Sequence, residues 1–394
     1  MNILLISHFF PPHKGGIETA TYNIAKKLTE KGHEVIVITS KVIRTQINYE
    51  KLEGFHIYRY RSFNLVELRG FPQSASLGFP LKAIIKLKKI IRKHEIQIIH
   101  VEGRFFPISF ISAFLNILIF KKKMYISIQG RLEFGLTGLI ENIFDTIVTR
   151  LIYSRLSKIM CVSASLKRRL VKYRVPLQAL ITIPNGVDID KFIKKKSSYF
   201  NKFLEEENEN KKVIFVGRLD LQKGVEYLIR SIPSVIANFP KVSFFILGNG
   251  RLEDYLKKLV KFLSIENHVI FLNMIPIEEM PDFYSSADIL CLPSIHEGFP
   301  LSIVEALSIG LIIVASKTGG IPEVIIENEN GYLFEPRNIR ELSLKLLKAL
   351  NLPHIEKVQI QENNVKKARN IYSWEKIVND IIKIYQERHP IKSS

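Results

Sequence analysis

Two carboxylates eight residues apart, Glu297 and Glu305, stand in the run ILCLPSIHEGFPLSIVEALSIGLIIVASKTGGIPEV from Ile289 to Val324. The apolar segment Ile289 to Leu292 stops at Pro293, Pro300 sits where a first helical turn tolerates a missing N–H, and Gly310 closes the helix ahead of a strand from Leu311 to Ala315. The pattern therefore predicts a strand, a loop holding Glu297 and a helix holding Glu305. In a parallel sheet, the loops after strand C-termini and the helix N-termini they feed form the ligand crevice, where helix N–H groups meet phosphate oxygens. A carboxylate beside such a crevice can accept two hydroxyls of a sugar or a ribose at once. The chemistry expected of this junction is recognition of a sugar joined to a nucleotide.

The chain must build a sheet to hold that junction, and it carries the pattern of two. Apolar strands alternate with amphipathic helical segments, which predicts a doubly wound α/β architecture twice over. In the first half the expected strands are Ile3–Ser7, Val35–Thr39, Ile96–Val101, Tyr125–Ile128, Ile159–Val162 and Leu180–Ile183. In the second they are Val213–Val216, Val242–Leu247, Val269–Leu272, Ile289–Leu292 and Leu311–Ala315. The charge-rich segment 194–212 reads as a linker, and Ser373 to Gln386 reads as an amphipathic helix. At 394 residues the chain is long enough for two cores of ordinary domain size.

The pair Glu297 and Glu305 within PSIHEGFPLSIVEALSIG, followed by the Gly-Gly-Ile-Pro-Glu turn Gly319 to Glu323, resembles the family 4 retaining glycosyltransferases of the GT-B fold. Further pieces match in the order the family has them. VIFVGRLDLQKG (Val213 to Gly224) is similar to its Gly-Arg loop and Lys-Gly helix start, and FFILGNG (Phe244 to Gly250) to its next Gly-rich turn. FYSSADILCLPS (Phe283 to Ser294) matches the approach to the Glu pair, SHFFPPHKGGIE (Ser7 to Glu18) the first strand and its Gly-Gly loop, and IPNGVD (Ile183 to Asp188) the domain junction. Any one piece is common; the ordered set is specific.

The resemblance implies two Rossmann-like domains facing an interdomain cleft: 1–193 for the acceptor, 213–372 for the nucleotide sugar, and a terminal helix, 373–394, crossing back to the first domain. It implies a UDP- or GDP-linked donor, transfer with retention to a hydroxyl acceptor, and no metal or other cofactor. No Asp-x-Asp stands here to hold Mg²⁺. Arg218 and Lys223 match the cations on the leaving diphosphate, whose growing charge fixed cations stabilise. Glu305 matches the ribose-binding position and Glu297 the one at the donor sugar, with the backbone of Gly298, Phe299, Pro300 and Leu301 beside them. Gly15 and Gly16 would let the backbone approach a diphosphate where a side chain would collide. The acceptor half departs from the pattern: where relatives carry a second histidine after His100 and a histidine before Gly130, this chain has Glu102 and Gln129. A carboxylate can orient or deprotonate a hydroxyl whereas an amide only orients it, so Glu102 is the candidate base and His100 and Gln129 its acceptor-side neighbours. His8, His13 and His296 are further candidates to line the cleft, and base contacts are expected from the backbone of Asn273 to Pro276.

Charge separates the halves. Residues 1–196 hold 33 Lys and Arg against 13 Asp and Glu, and residues 197–394 hold 24 against 25, so the formal +19 lies entirely in the first half. The clusters Ala83–Glu95, Lys121–Lys123, Leu166–Arg174 and Lys191–Lys196 interleave cations with apolar residues at helical spacing, which suits an anionic membrane surface. Lys86, Lys89 and Lys93 are expected on one helix face. The expected partners are a nucleotide sugar, a glycan or lipid-linked acceptor and the inner face of the cytoplasmic membrane. Without zinc spacings or an RNP-like run, nucleic acid is not expected, and without G-x-G-x-x-G at the first helix neither is a dinucleotide-dependent oxidoreductase. The N-terminus enters a strand without a basic region or a cleavage site, so no signal peptide is expected. The longest apolar stretch, Phe105 to Phe120, falls short of the roughly 20 residues that span a bilayer and reads as a helix packed on the sheet. Cys161 and Cys291 read as buried thiols.

Overall fold

The computed structural model describes residues 1–13, 15–41, 46–61, 63–64, 78–79, 81–130, 136–197, 199–200 and 210–387. They form two compact units: Met1–Asn185 together with the segment from Trp374, and Gly186–Ser373.

The first unit begins β1 (Asn2–Ser7), α1 (Gly16–Glu30), β2 (Glu34–Ser40), β3 (Tyr49–Leu52) and β4 (Phe55–Tyr60), followed by the short strands β5 (Phe63–Asn64) and β6 (Gly78–Phe79). It continues α2 (Leu81–Lys93), β7 (Ile98–Glu102), α3 (Pro107–Leu115), β8 (Lys123–Ile128), α4 (Leu136–Phe144), β9 (Lys158–Cys161), α5 (Ala164–Lys172) and β10 (Leu180–Thr182). Eight strands lie in the order β10-β9-β8-β7-β1-β2-β4-β3, parallel except where β3 pairs antiparallel with β4. The order reverses at the β1–β7 pair, so the loops after those strands open on the crevice of this sheet. β1 and β2 are buried on nearly every residue because both faces of a parallel sheet are covered.

The second unit comprises β11 (Lys211–Val216), α6 (Val225–Asn238), β12 (Val242–Leu247), α7 (Glu253–Phe262), β13 (Val269–Leu272), α8 (Met280–Ser285) and β14 (Ile289–Leu292). It ends with α9 (Leu301–Ile309), β15 (Ile312–Ser316), α10 (Ile321–Val324), β16 (Tyr332–Phe334), α11 (Ile339–Leu350) and α12 (His354–Tyr372). Its strands run β13-β12-β11-β14-β15-β16, all parallel, and the order reverses between β11 and β14. The last helix, α13 (Trp374–Gln386), returns to the first unit, where Trp374, Ile377, Val378, Ile381 and Ile384 pack with Ile24 and Leu28 of α1.

Several expectations need correction. β3, β4 and β16 were not foreseen: β4 alternates buried and partly exposed residues in FHIYRY, with His56 and Arg59 diluting its apolar signal, and β16 is three residues long. β15 starts one residue later than expected, and Pro300 is the residue ahead of α9 rather than within it. Residues 198 and 201–209 of the expected linker lie outside the described residues; of the rest, Lys211 and Lys212 open β11, and Phe200 is buried with its ring 4.0 Å from that of Phe245. The expected helix over Phe105 to Phe120 is α3 followed by a π-helical turn, Asn116–Phe120, closed by the Asn116 side chain, which donates to Lys122 O at 3.0 Å and accepts from Lys122 N at 3.1 Å. It packs on β1 and buries Ile108 and Ala113, but it also buries Ser109, Ser112 and Asn116 while Phe114, Leu118 and Ile119 stay exposed. No helix of the described residues is long and apolar enough to cross a membrane. Cys161 and Cys291 are buried, and burial pushes both thiols up.

Candidate functional site

At the reversal point of the second sheet, the loop after β11 carries Arg218 and Lys223, and the loop after β14 carries Glu297. Asp220 caps the 3₁₀ turn Leu221–Lys223, accepting from Lys223 N at 3.2 Å, and Gly224 leaves that turn in the left-handed region at φ 63°. A side chain at Gly224 would place Cβ 2.2 Å from Pro293 O, so glycine lets the two loops touch. Lys223 Nζ then reaches Glu297 Oε2 at 2.6 Å across 74 residues of sequence, and Ser294 donates to the same oxygen at 3.2 Å. Gly319, at φ 55°, lies against the other side of that loop, where a Cβ would fall 1.6 Å from Glu297 O. The Gly-Gly turn thus fixes the backbone of Glu297. Both partners of the ion pair are mostly shielded from solvent, so the pair resists screening better than a surface one.

Arg218, on the same loop as Lys223, is held by Asp220 at 3.2 Å and is the more exposed of the two cations. Glu305 lies one turn into α9, partly buried, and accepts from the Tyr284 hydroxyl at 2.8 Å. Burial raises its carboxyl to about 7, with the Tyr284 hydrogen bond opposing. Between these groups Gly298, Phe299, Pro300 and Leu301 lead into α9, with the Phe299 ring 5.6 Å from that of Tyr372. Asn273 to Pro276 form the loop that leaves β13, and Met274 there is exposed. The arrangement offers two cations and two carboxylates to a ligand with a polyanionic centre and hydroxyls at either side.

At the reversal point of the first sheet, Gly15 and Gly16 are exposed where α1 starts. The backbone of Gly15 is extended, so its constraint is contact rather than torsion: a Cβ would meet the Glu18 carboxylate, whose Oε1 holds His13 Nδ1 at 2.6 Å. His8 is buried and stacked on Phe106 at 4.6 Å. His100 is also buried, between the Tyr385 hydroxyl on Nδ1 at 2.5 Å and the Ser127 hydroxyl on Nε2 at 2.6 Å, and desolvation lowers its pKa to about 3. Glu102 is not at the surface. It lies fully buried behind Gln129, which donates to its Oε2 at 2.9 Å and in turn accepts from Asn185 Nδ2 at 2.9 Å. Only Gln129 of this group is partly exposed, so Glu102 as placed acts on anything outside through the amide.

Desolvation raises Glu102 from 4.5 to about 7, with hydrogen bonds from Gln129 and Ser127 opposing. Across that window the folded protein keeps a proton that the unfolded chain has released, so this group's contribution to stability falls as pH rises from about 4.5 through 7. The amide of Glu102→Gln mimics the protonated carboxyl and removes that penalty. The variant is expected to gain about 3 kcal/mol over the parent at pH 8 and almost nothing at pH 4.5, measured by urea unfolding. A gain independent of pH would contradict the raised pKa.

Sequence reasoning named both ends of the Lys223–Glu297 pair but missed Asp220, Ser294, Tyr284, Asn185 and Tyr385, which orient the named groups. Asp220 was legible as a cap three residues ahead of Lys223. Tyr385 was not, since it stands 285 residues from the histidine it meets.

Known proteins match this framework throughout. The family model described as Glycosyltransferase Family 4 matches residues 14–191, and that described as Glycosyl transferases group 1 matches residues 197–369. An uncharacterized glycosyltransferase of Methanocaldococcus jannaschii is 26% identical over 397 residues, covering 98% of both chains. The GPI3 subunit of phosphatidylinositol N-acetylglucosaminyltransferase from Saccharomyces cerevisiae is 25% identical over 400 residues, covering 98% of this chain and 82% of its own. Among solved structures, Anabaena HepE in complex with UDP-glucose superposes with a TM-score of 0.77 at 20% identity, over 97% of this chain and 98% of the other. The two family models follow one another along almost the whole sequence, each on one of the two sheets just described, and the chain belongs to the family 4 glycosyltransferases and has the GT-B fold.

Proposed function

We propose that this glycosyltransferase moves a hexose from a UDP- or GDP-linked donor to a hydroxyl of a glycan or lipid-linked acceptor, with retention, at an anionic membrane surface. The observation that carries the donor reading is the Lys223–Glu297 pair at the reversal point of the second sheet, with Arg218 on the same loop. Lys223 and Arg218 take the diphosphate and stabilise its charge as the sugar departs, Glu305 takes the ribose hydroxyls, and Glu297 turns to the sugar once phosphate replaces it on Lys223. The backbone from Gly298 to Leu301 borders the same ligand. Anabaena HepE, of the same fold, was crystallised with UDP-glucose, and the yeast relative is named for N-acetylglucosaminyl transfer to phosphatidylinositol.

On the acceptor side Gln129 orients the incoming hydroxyl, with Glu102 and His100 positioning it from behind. Glu102, buried, is no nucleophile in this arrangement, which favours a front-face displacement: the acceptor oxygen bonds to the anomeric carbon on the face the diphosphate leaves, and its proton passes to the departing phosphate oxygen. The two fixed cations supply the charge stabilisation, so transfer is expected to need no added metal. Thermal shifts with a panel of nucleotide diphosphate sugars test the donor reading, since a ligand at 100 times its Kd stabilises by about 2.7 kcal/mol. A cognate sugar should shift the melting point and turn over with chelator present. No shift with any member would overturn the reading.

A further inference from the structure

α4 is built inside out, and α3 is so in part. α3 with its π turn buries Ser109, Ser112 and Asn116 beside Ile108 and Ala113 and exposes Phe114, Leu118 and Ile119; α4 with the π turn Asp145–Thr149 buries Glu141, Asp145 and Thr149 and exposes Leu139, Ile143 and Ile147, with Leu151 one turn on. These seven apolar side chains are between 46 and 59% exposed. The buried polar residues of α4 have partners inside: Arg104 reaches Glu141 and Asp145, Arg169 lies 3.6 Å from Glu141, and Thr149 donates to Asp145 at 2.9 Å. On α4 an ionic cluster thus draws the polar side in and leaves the aliphatic side out. A patch of this size on a soluble surface marks an interaction site.

The topology places both outer faces together. β7, β8 and β9 step the same way along the sheet, and right-handed crossovers put α3 and α4 side by side on one face, while α1 and α13 pack with each other through the other core. α2 packs beside α3 and against β4, and its flank toward β4 carries Lys82, Lys86, Lys89 and Lys93 around a hollow of about 630 Å³ shared with Tyr58 and Tyr60. From Gly103 to Val187 the carboxylates among the described residues are Glu141 and Asp145, both fully buried, whereas Lys121, Lys122 and Arg150 follow directly on the two π turns. The face is thus aliphatic and cationic without an exposed acid among the described residues of that stretch. That is the composition of a segment lying in the headgroup and acyl boundary of an anionic bilayer.

We infer that the outer faces of α3 and α4 insert into the acyl layer of an anionic membrane, with the α2 lysines on its phosphates. The inference deepens the membrane-surface reading above and rests on it. It also changes its physics: lysines alone would release in salt, whereas inserted aliphatic side chains hold on.

The test is flotation of the full-length protein with phosphatidylcholine vesicles, with and without phosphatidylglycerol, at low and high salt. The parent should float with the mixed vesicles even at high salt. Leu139→Ser/Ile143→Ser/Ile147→Ser should lower the partition coefficient about a hundredfold at high salt, since three aliphatic side chains no longer leave water. Lys86→Glu/Lys89→Glu should lower it only at low salt. Because the three serines replace exposed side chains, the variant should keep its melting point and its nucleotide affinity. Unchanged flotation of the serine variant at high salt overturns the inference, as does a parent dimer that the serines dissociate, which would make the face a contact between copies. Loss of nucleotide binding by the parent, with flotation intact, would sink the donor reading alone.

Discussion

Lys223→Ala is expected to lower kcat by about a hundredfold to a thousandfold at saturating donor, the loss of one fixed charge on a leaving group whose negative charge grows in the transition state. The alternative is that Lys223 exists to hold Glu297 in place. The two are separable, because Ser294 donates to the same carboxylate oxygen and still holds it when the lysine is gone. Glu297→Gln keeps the cation and loses the charge partner, and is expected to slow transfer while leaving nucleoside diphosphate affinity near that of the parent. Arg218→Ala should fall in the same direction as Lys223→Ala, since the proposed site has both cations on the leaving group. Near-parental turnover by folded Lys223→Ala and Arg218→Ala enzymes would remove the diphosphate assignment. A Glu297→Gln enzyme that lost nucleotide affinity instead would reverse the roles of the two glutamates.

Glu305→Gln is expected to weaken nucleoside diphosphate binding by about a hundredfold above pH 7, the cost of two charge-assisted hydrogen bonds made neutral. The pH dependence gives the sharper test. Burial holds the free carboxyl near 7, and two ribose hydroxyls can both donate only to its ionised form. Below about 7 binding must first expel a proton, so parental affinity should drop toward tenfold for each pH unit of acidification, while the amide of the Glu305→Gln variant has nothing to release. Calorimetric titration of UDP and GDP at about pH 5.5, 6.5 and 7.5, on either side of that carboxyl's pKa, reads both slopes. Parallel slopes for parent and Glu305→Gln would mean that another group takes the ribose.

How far each residue was legible in the sequence follows from how local its causes are. The strand–loop–helix around Glu297 was readable because Pro293, Pro300 and Gly310 constrain their own backbone, and Val242–Leu247, Val269–Leu272 and Ile289–Leu292 fell on β12, β13 and β14 because both faces of a parallel sheet demand unbroken apolar runs. β16 and the β3–β4 hairpin were not, being short or half-exposed strands in which no period accumulates. Lys223 and Glu297 were each named from the sequence, but their meeting was decided by strand order, which puts β14 beside β11 rather than beside β13.

The same division runs through the first unit. Composition located the positive charge, and the apolar stretch from Phe105 predicted a helix packed on the sheet, as α3 is, yet which apolar side chains are left exposed was not legible. On α4 the cause is distant: Arg104 and Arg169 beneath it make burial of Glu141 and Asp145 favourable and turn Ile143 and Ile147 outward. Glu102 likewise was read as standing where relatives carry a histidine, but its position behind Gln129, and the raised pKa that follows, depend on Tyr385 and Asn185 arriving from distant parts of the chain. Residue type and local spacing determined which elements form and which groups carry charge. Desolvation and ion pairing depend on what packs alongside, so only the tertiary structure decided which carboxylates stay ionised, which lie within reach of a ligand, and which aliphatic side chains are left facing out.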